Sequence, residues 1–179
     1  KGPQYLALQR LTRHRLHLVE YITREKSYMV SNIFLKFSEL AVLKEAEHPF
    51  SSNHTATAEA ILTEMLSLED LIRLSSEELI EFVCSHSKNR YSHPKEVCKL
   101  LKKAAHDSYH LDKTLYEPLT ISIASSFNCI ETYEREIKSI NKAIEKTMKG
   151  LCPDAFTVLQ SIPGIGPVFA SAFYLKLAI

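Results

Sequence analysis

The stretch from Leu115 to Lys149 constrains the fold more than any other: Ile123, Ile130, Ile137 and Ile144 recur every seven residues, with Leu119, Ser126, Tyr133, Ile140 and Thr147 at companion positions. Such a repeat keeps one seam of an α-helix turned toward a partner helix, and Glu134, Glu136, Lys138, Lys142 and Glu145 fall mostly outside it. Pro118 fits the first turn of this helix, where its missing N–H is not needed. Gly150 is expected to stop it. A helix of this kind must find a second apolar stripe in its own chain or in another copy.

The chain offers one. From Tyr5 to about Lys44, Leu8, Leu11, Leu18, Ile22, Met29, Ile33, Phe37 and Leu40 fall on one side at 100° per residue, predicting a single long helix over 1–44. Antiparallel pairing of the two long helices is the economical solution. Pairing with a second molecule through Ile123, Ile130, Ile137 and Ile144, giving a homo-oligomer, is equally compatible with the repeat. The opposite side of the first helix collects Arg10, Arg13, His14, His17, Tyr21, Arg24 and Tyr28. Cations interleaved with aromatics suit a polyanion, because Lys and Arg neutralise phosphates while rings stack on bases. An ordinary solvated face explains the same stripe equally well.

Between the long helices, residues 45–55 (EAEHPFSSNHT) read as a loop and 56–111 as a small helical module. Ala56–Leu66 is a first helix, Ser67-x-x-Asp70 opens a second, and Ser75 with Glu78 forms a capping box for a third running through Cys84. Glu77 and Glu78 are therefore caps and surface, not a catalytic carboxylate pair. His93-Pro94 starts a fourth helix, Lys95–His110, that buries Val97, Leu100, Leu101 and Ala104. Charge is segregated along the chain: residues 1–26 carry six Lys/Arg against Glu20 and Glu25, and residues 59–82 carry seven Asp/Glu against Arg73 alone. Residues 84–113 are basic again, and Lys88, Arg90, Lys102 and Lys103 form a second candidate patch for a polyanion.

After Gly150, residues 153–179 read as helix, hairpin, helix. Pro163, Gly164 and Gly166 cannot continue a helix, and Pro167 suits the first turn of the next. Gly164 and Gly166 around Ile165 allow φ > 0, with Ile162, Ile165 and Val168 tucked inward and amides left facing out. Consecutive free amides and a helix start make a concave site for a phosphate oxygen that reads no bases. Small residues Ala170, Ser171 and Ala172 would let the second helix pack closely on the first. A purely structural turn is the other reading.

Few glycines, no tryptophan and long Leu/Ile/Glu/Lys runs make the expected class all-α, with no convincing strand. No membrane span or secretory leader is visible, so the expected location is the cytoplasm, without a membrane partner. Cys84, Cys98, Cys129 and Cys152 suit buried reduced thiols. Cys84, His86, His93 and Cys98 match no common zinc spacing, so no metal is expected here. The histidines lack a nucleophile or carboxylate arrangement, and no catalytic set is visible.

Taken together, LQRLTRHRLHLVEYITREK, KNRY, KKAAHDSYHLDK, the long helix ending in AIEK, and LQSIPGIGPVFASAF resemble the insertion-sequence transposases that pair a RuvC-like DEDD domain with a C-terminal serine-containing transposase domain, relatives of the pilin-gene invertases. The resemblance implies the helical, coiled-coil region between the two catalytic domains, which assists assembly on DNA and a structured guide RNA, with the hairpin opening the C-terminal domain. The metal-binding carboxylates, and with them Mg²⁺, would lie before Lys1, and the nucleophilic serine beyond Ile179. Ser161 and Ser171 are not substitutes. What the resemblance implies for this chain is nucleic-acid contact and oligomerisation without catalytic residues of its own. A DNA-repair type helix-hairpin-helix module would share the hairpin without needing the heptads, and a coiled-coil interaction module would need the heptads without the basic stripe.

Overall fold

The computed structural model describes residues 2–44 and 47–177. Among them are nine α-helices and no strand: α1 (Pro3–Lys36), α2 (Ser38–Val42), α3 (Ala56–Glu64), α4 (Leu68–Arg73), α5 (Ser76–Ser87), α6 (Pro94–Asp107), α7 (Lys113–Leu151), α8 (Pro153–Gln160) and α9 (Pro167–Leu177). The chain is all-helical, as its composition requires. No helix among the described residues is long and apolar enough to cross a membrane. The chain divides into two units, one made of Lys1–Arg24 with Ile130–Ile179 and the other of Glu25–Cys129.

The first unit packs the start of α1, the end of α7, and α8 with α9 around one apolar cluster. Leu8, Ile144, Met148 and Ala170 are its fully buried members, with Tyr5, Phe156 and Leu175 beside them. The Tyr5 hydroxyl donates to the Leu175 carbonyl at 3.0 Å, joining the two segments of the unit. Within this unit the long helices run antiparallel, because contacts that climb α1 descend α7. Arg15 Nε donates to Asn141 Oδ1 at 2.6 Å, and the Tyr21 ring stacks on Tyr133 with centroids 6.0 Å apart and planes at 12°.

In the second unit the remaining parts of α1 and α7 run antiparallel too. The Ser126 hydroxyl donates to Glu25 Oε1 at 2.6 Å, and Lys36 Nζ donates to Thr120 Oγ1 at 2.6 Å. α6 packs on α2, α4 and α5, and α3 on α5. α4 and α5 open on the capping boxes read from the sequence, Ser67 with Asp70 and Ser75 with Glu78. The Ser75 amide, donating to Glu78 at 2.8 Å, holds that carboxyl below its usual range.

Besides α3 ending at Glu64 rather than Leu66 and α6 spanning Pro94–Asp107 rather than Lys95–His110, three boundaries of the long helices differ from the sequence reading. The first helix does not reach Lys44 but breaks at Phe37, whose φ of −147° is extended. The break is made good across the unit: Glu39 N–H donates to Ser108 Oγ at 3.0 Å and Tyr109 N–H donates to Ser38 Oγ at 3.1 Å. The Ser108 hydroxyl thus satisfies an amide that the start of α2 leaves open, and the Ser38 hydroxyl the Tyr109 amide just beyond the end of α6. The second long helix begins at Lys113, where Asp112 Oδ1 accepts from Thr114 N–H at 2.9 Å, so Pro118 lies beyond the first turn. It also passes through Gly150 and ends at Leu151. Cys152 precedes a proline, which disfavours helical angles, and has φ −154° and ψ 80°. His93 before Pro94 has nearly the same backbone, φ −131° and ψ 68°.

The least expected side chain in the second unit is Lys36. It is 3% exposed, and besides Thr120 it donates to the carbonyls of Leu62 at 2.7 Å and Met65 at 2.8 Å, which lie at the end of α3. An ammonium thus completes the last turn of another helix. Burial lowers its pKa from 10.5 to about 8, with Asp70 opposing. Between those values the unfolded chain binds more protons than the folded one, so stability should rise with pH. Burial pushes the Cys98 thiol up from 9.0 to about 11, and a raised acid loses its contribution as pH climbs past its unfolded value. The rise should therefore show between about pH 8 and 9 and be opposed above that. Denaturant melts across this window check it, and Lys36→Met should remove the rise.

Candidate nucleic-acid interface

The turn between α8 and α9 is built by four residues. Ile165 N–H donates to the Ile162 carbonyl at 3.1 Å, Pro163 occupies the second position, and Gly164 the third with φ +88°. That is a type II turn, which requires positive φ at its third residue. Gly166 does not share this conformation, contrary to the expectation that both glycines would. An added Cβ would meet nothing within 4 Å at either position.

The amides divide as well. The Ile165 amide is consumed by the turn, while those of Gly164, Gly166, Val168 and Phe169 have no hydrogen-bond partner among the described residues. Three of the four belong to the start of α9, where the helix dipole is positive. Pro163, Gly164 and Gly166 are exposed. Ile165 packs against the apolar cluster and so anchors the turn. Ile162 does not tuck inward but is 48% exposed. Of the small residues, Ala170 and Ser171 are fully buried, whereas Ala172, one step further round the helix, is exposed.

The α1 stripe lies in the same unit. Arg10, Arg13, His17 and Arg24 are all exposed. Leu8 belongs to the cluster against which Ile165 packs, and these cations lie on the side of α1 opposite Leu8. Tyr21 is not a free ring. His17 meets it edge-on at 4.4 Å, and its face is stacked on Tyr133. Tyr133, a residue the sequence reading placed only as a seam companion, thus extends the aromatic stripe onto α7.

The second candidate patch does not come together. Lys88 and Arg90 line a groove with the start of α3. Lys102 is half-buried, and its ammonium donates to the Leu74 carbonyl at the end of α4. Lys103 borders a different groove, beside Glu39, Glu47 and Asp107. Adjacent helical residues point about 100° apart, which is why Lys102 and Lys103 separate.

Ile123, Ile130 and Ile144 are buried within the chain itself, at 0%, 5% and 0% exposure, while Ile137 is half-buried. Self-association through this seam would require the pairing of α1 with α7 to open. No group of three or more His, Cys, Asp or Glu among the described residues is arranged to hold a metal ion. The four cysteines are free thiols. The chain matches no protein-family model, no curated protein and no solved structure.

Proposed function

We propose that this chain is the central nucleic-acid-binding region of a DNA transposase or recombinase of the kind its sequence resembles, with DNA and a structured guide RNA as partners and no catalytic residues of its own. In this reading α1 and α7 form an antiparallel coiled coil, and α8, its turn and α9 form a helix-hairpin-helix. The observation that carries it is the exposed type II turn at Gly164 followed by unpaired amides at the start of α9. Such a site binds one phosphate through the backbone. The exposed cations of α1 would add sequence-independent affinity. Self-association, where it occurs, uses surfaces other than the buried isoleucines.

The test is binding to duplex DNA and folded RNA over a salt series by the wild type and three variants. Gly164→Ala places a methyl group at φ +88° and should cost about 1–2 kcal/mol of stability. Gly166→Ala carries no such strain and meets open space, so its stability should stay within about 0.5 kcal/mol. Its methyl group nonetheless stands where the phosphate approaches, and affinity should fall about equally for unrelated sequences. Arg13→Ala should instead reduce the slope of log affinity against log salt by roughly 0.9 for a lost duplex phosphate contact. A folded Gly166→Ala protein that binds like wild type would reduce the hairpin to a turn.

A second reading, an interaction module without nucleic acid, is favoured by apolar surface: Phe169, Phe173 and Leu177 of α9 are all more than 40% exposed. That module would show no salt-dependent affinity for either polymer.

A further inference from the structure

In the second unit a groove of about 410 Å³ opens between the end of α5 and the start of α3, lined by Thr55, Thr57, His86, Lys88, Arg90 and Tyr91 among others. Its size is that of small-molecule sites, which run to roughly 300–1,000 Å³. Among the described residues no acidic side chain lines it. Lys88 and Arg90 are exposed, and neither side chain has a hydrogen bond or ion pair among the described residues. The nearest carboxylate held by a lining residue is Glu64, whose Oε1 lies 3.0 Å from His86 Nε2 and is thereby committed.

The two cations are placed by the way α5 ends. Lys88 and Asn89 both take left-handed backbone angles, φ 53° and 56°, and Asn89 N–H donates to the Cys84 carbonyl at 2.9 Å. This reverses the chain, and it returns along the groove through Arg90 and Tyr91. The Thr55 oxygen accepts from Ala58 N–H at 3.2 Å, so its hydroxyl proton remains available as a donor. Two unpartnered cations, hydroxyls and aromatic surface without a carboxylate are the chemistry that recognises a phosphate ester bearing a flat group.

We propose that this groove binds the phosphate of a nucleotide, either free or as one unit of a nucleic-acid strand. It needs neither the hairpin nor the α1 stripe, so it stands or falls separately from the reading above.

The experiment titrates the ¹⁵N-labelled full chain, at fixed ionic strength, with inorganic phosphate, uridine monophosphate and a short single-stranded oligonucleotide. Saturable shifts are expected at the amides of residues 55–57 and 87–91. Arg90→Gln and Lys88→Gln should each weaken binding about tenfold or more, as expected for a lost hydrogen bond between charged groups. Lys113→Gln, a charge change outside the groove, should leave it unchanged. Saturation by the mononucleotide identifies a free nucleotide as the source. Response to the oligonucleotide alone identifies the strand, and either result upholds the proposal. It is overturned if all three ligands leave these amides unmoved, or if both Gln variants fold and bind like wild type.

Discussion

Replacing Ile144 by Asp is expected to unfold the unit made of residues 1–24 and 130–179, at a cost of roughly 3–5 kcal/mol or more. Ile144 is fully buried among Leu8, Met148 and Phe156, and the Lys149 ammonium, 5.9 Å from the centroid of the Phe156 ring, is already paired with Glu145 at 2.6 Å. A buried charge without a partner costs several kcal/mol or forces the site open. Ile137→Asp, one heptad earlier, should cost only about 1 kcal/mol. That side chain is half-buried, and a carboxylate there can turn toward water. Hydrogen exchange read by mass spectrometry checks both together. Ile144→Asp should lose protection in the two segments of its own unit while residues 47–129 keep theirs. Wild-type melting and protection in the Ile144→Asp protein would mean that the seam faces water.

The second large effect is expected at Lys36. Truncation to Ala removes the ammonium that serves the Leu62 and Met65 carbonyls and the Thr120 hydroxyl, and it leaves a void where the aliphatic stem lay. Each buried acceptor left unsatisfied costs about 1–3 kcal/mol, and the lost packing adds to that. A total of about 3–5 kcal/mol is expected near pH 7, measured by denaturant melts. Lys36→Met restores most of the volume but none of the hydrogen bonds, so it should fall between Ala and wild type. A Lys36→Ala protein within about 1 kcal/mol of wild type would show that the carbonyls find other partners.

Much of this architecture is legible in local residue order. The heptads place Ser126 and Tyr133 toward α1, where they meet Glu25 and Tyr21, and the capping boxes mark the starts of two short helices to the residue. Pro163-Gly164 specifies its turn because only that pair satisfies both central positions cheaply. What local order does not carry is long-range satisfaction of polar groups. The break at Phe37 is stable because Ser108 and Tyr109, far along the chain, meet Ser38 and Glu39. Lys102 reads as part of a polyanion patch and nothing in local order singles out Lys36, yet each ends on a backbone carbonyl at the end of another helix. Gly166 resembles Gly164 in sequence and differs from it in conformation because the turn needs one left-handed residue, not two.

The first unit is discontinuous in sequence, and that orders events during synthesis. When residues 1–24 leave the ribosome, every helix they pack against is still unmade: Tyr5 waits for Leu175, and Leu8 for Ile144 and Phe156. The Glu25–Cys129 unit is complete before residues 130–179 emerge, so it can assemble first. Its folding also shortens the effective loop that residues 1–24 must close to meet α7. Until then the apolar side of early α1 stays bare, a hydrophobic segment for a chaperone to hold while the rest of its unit is translated.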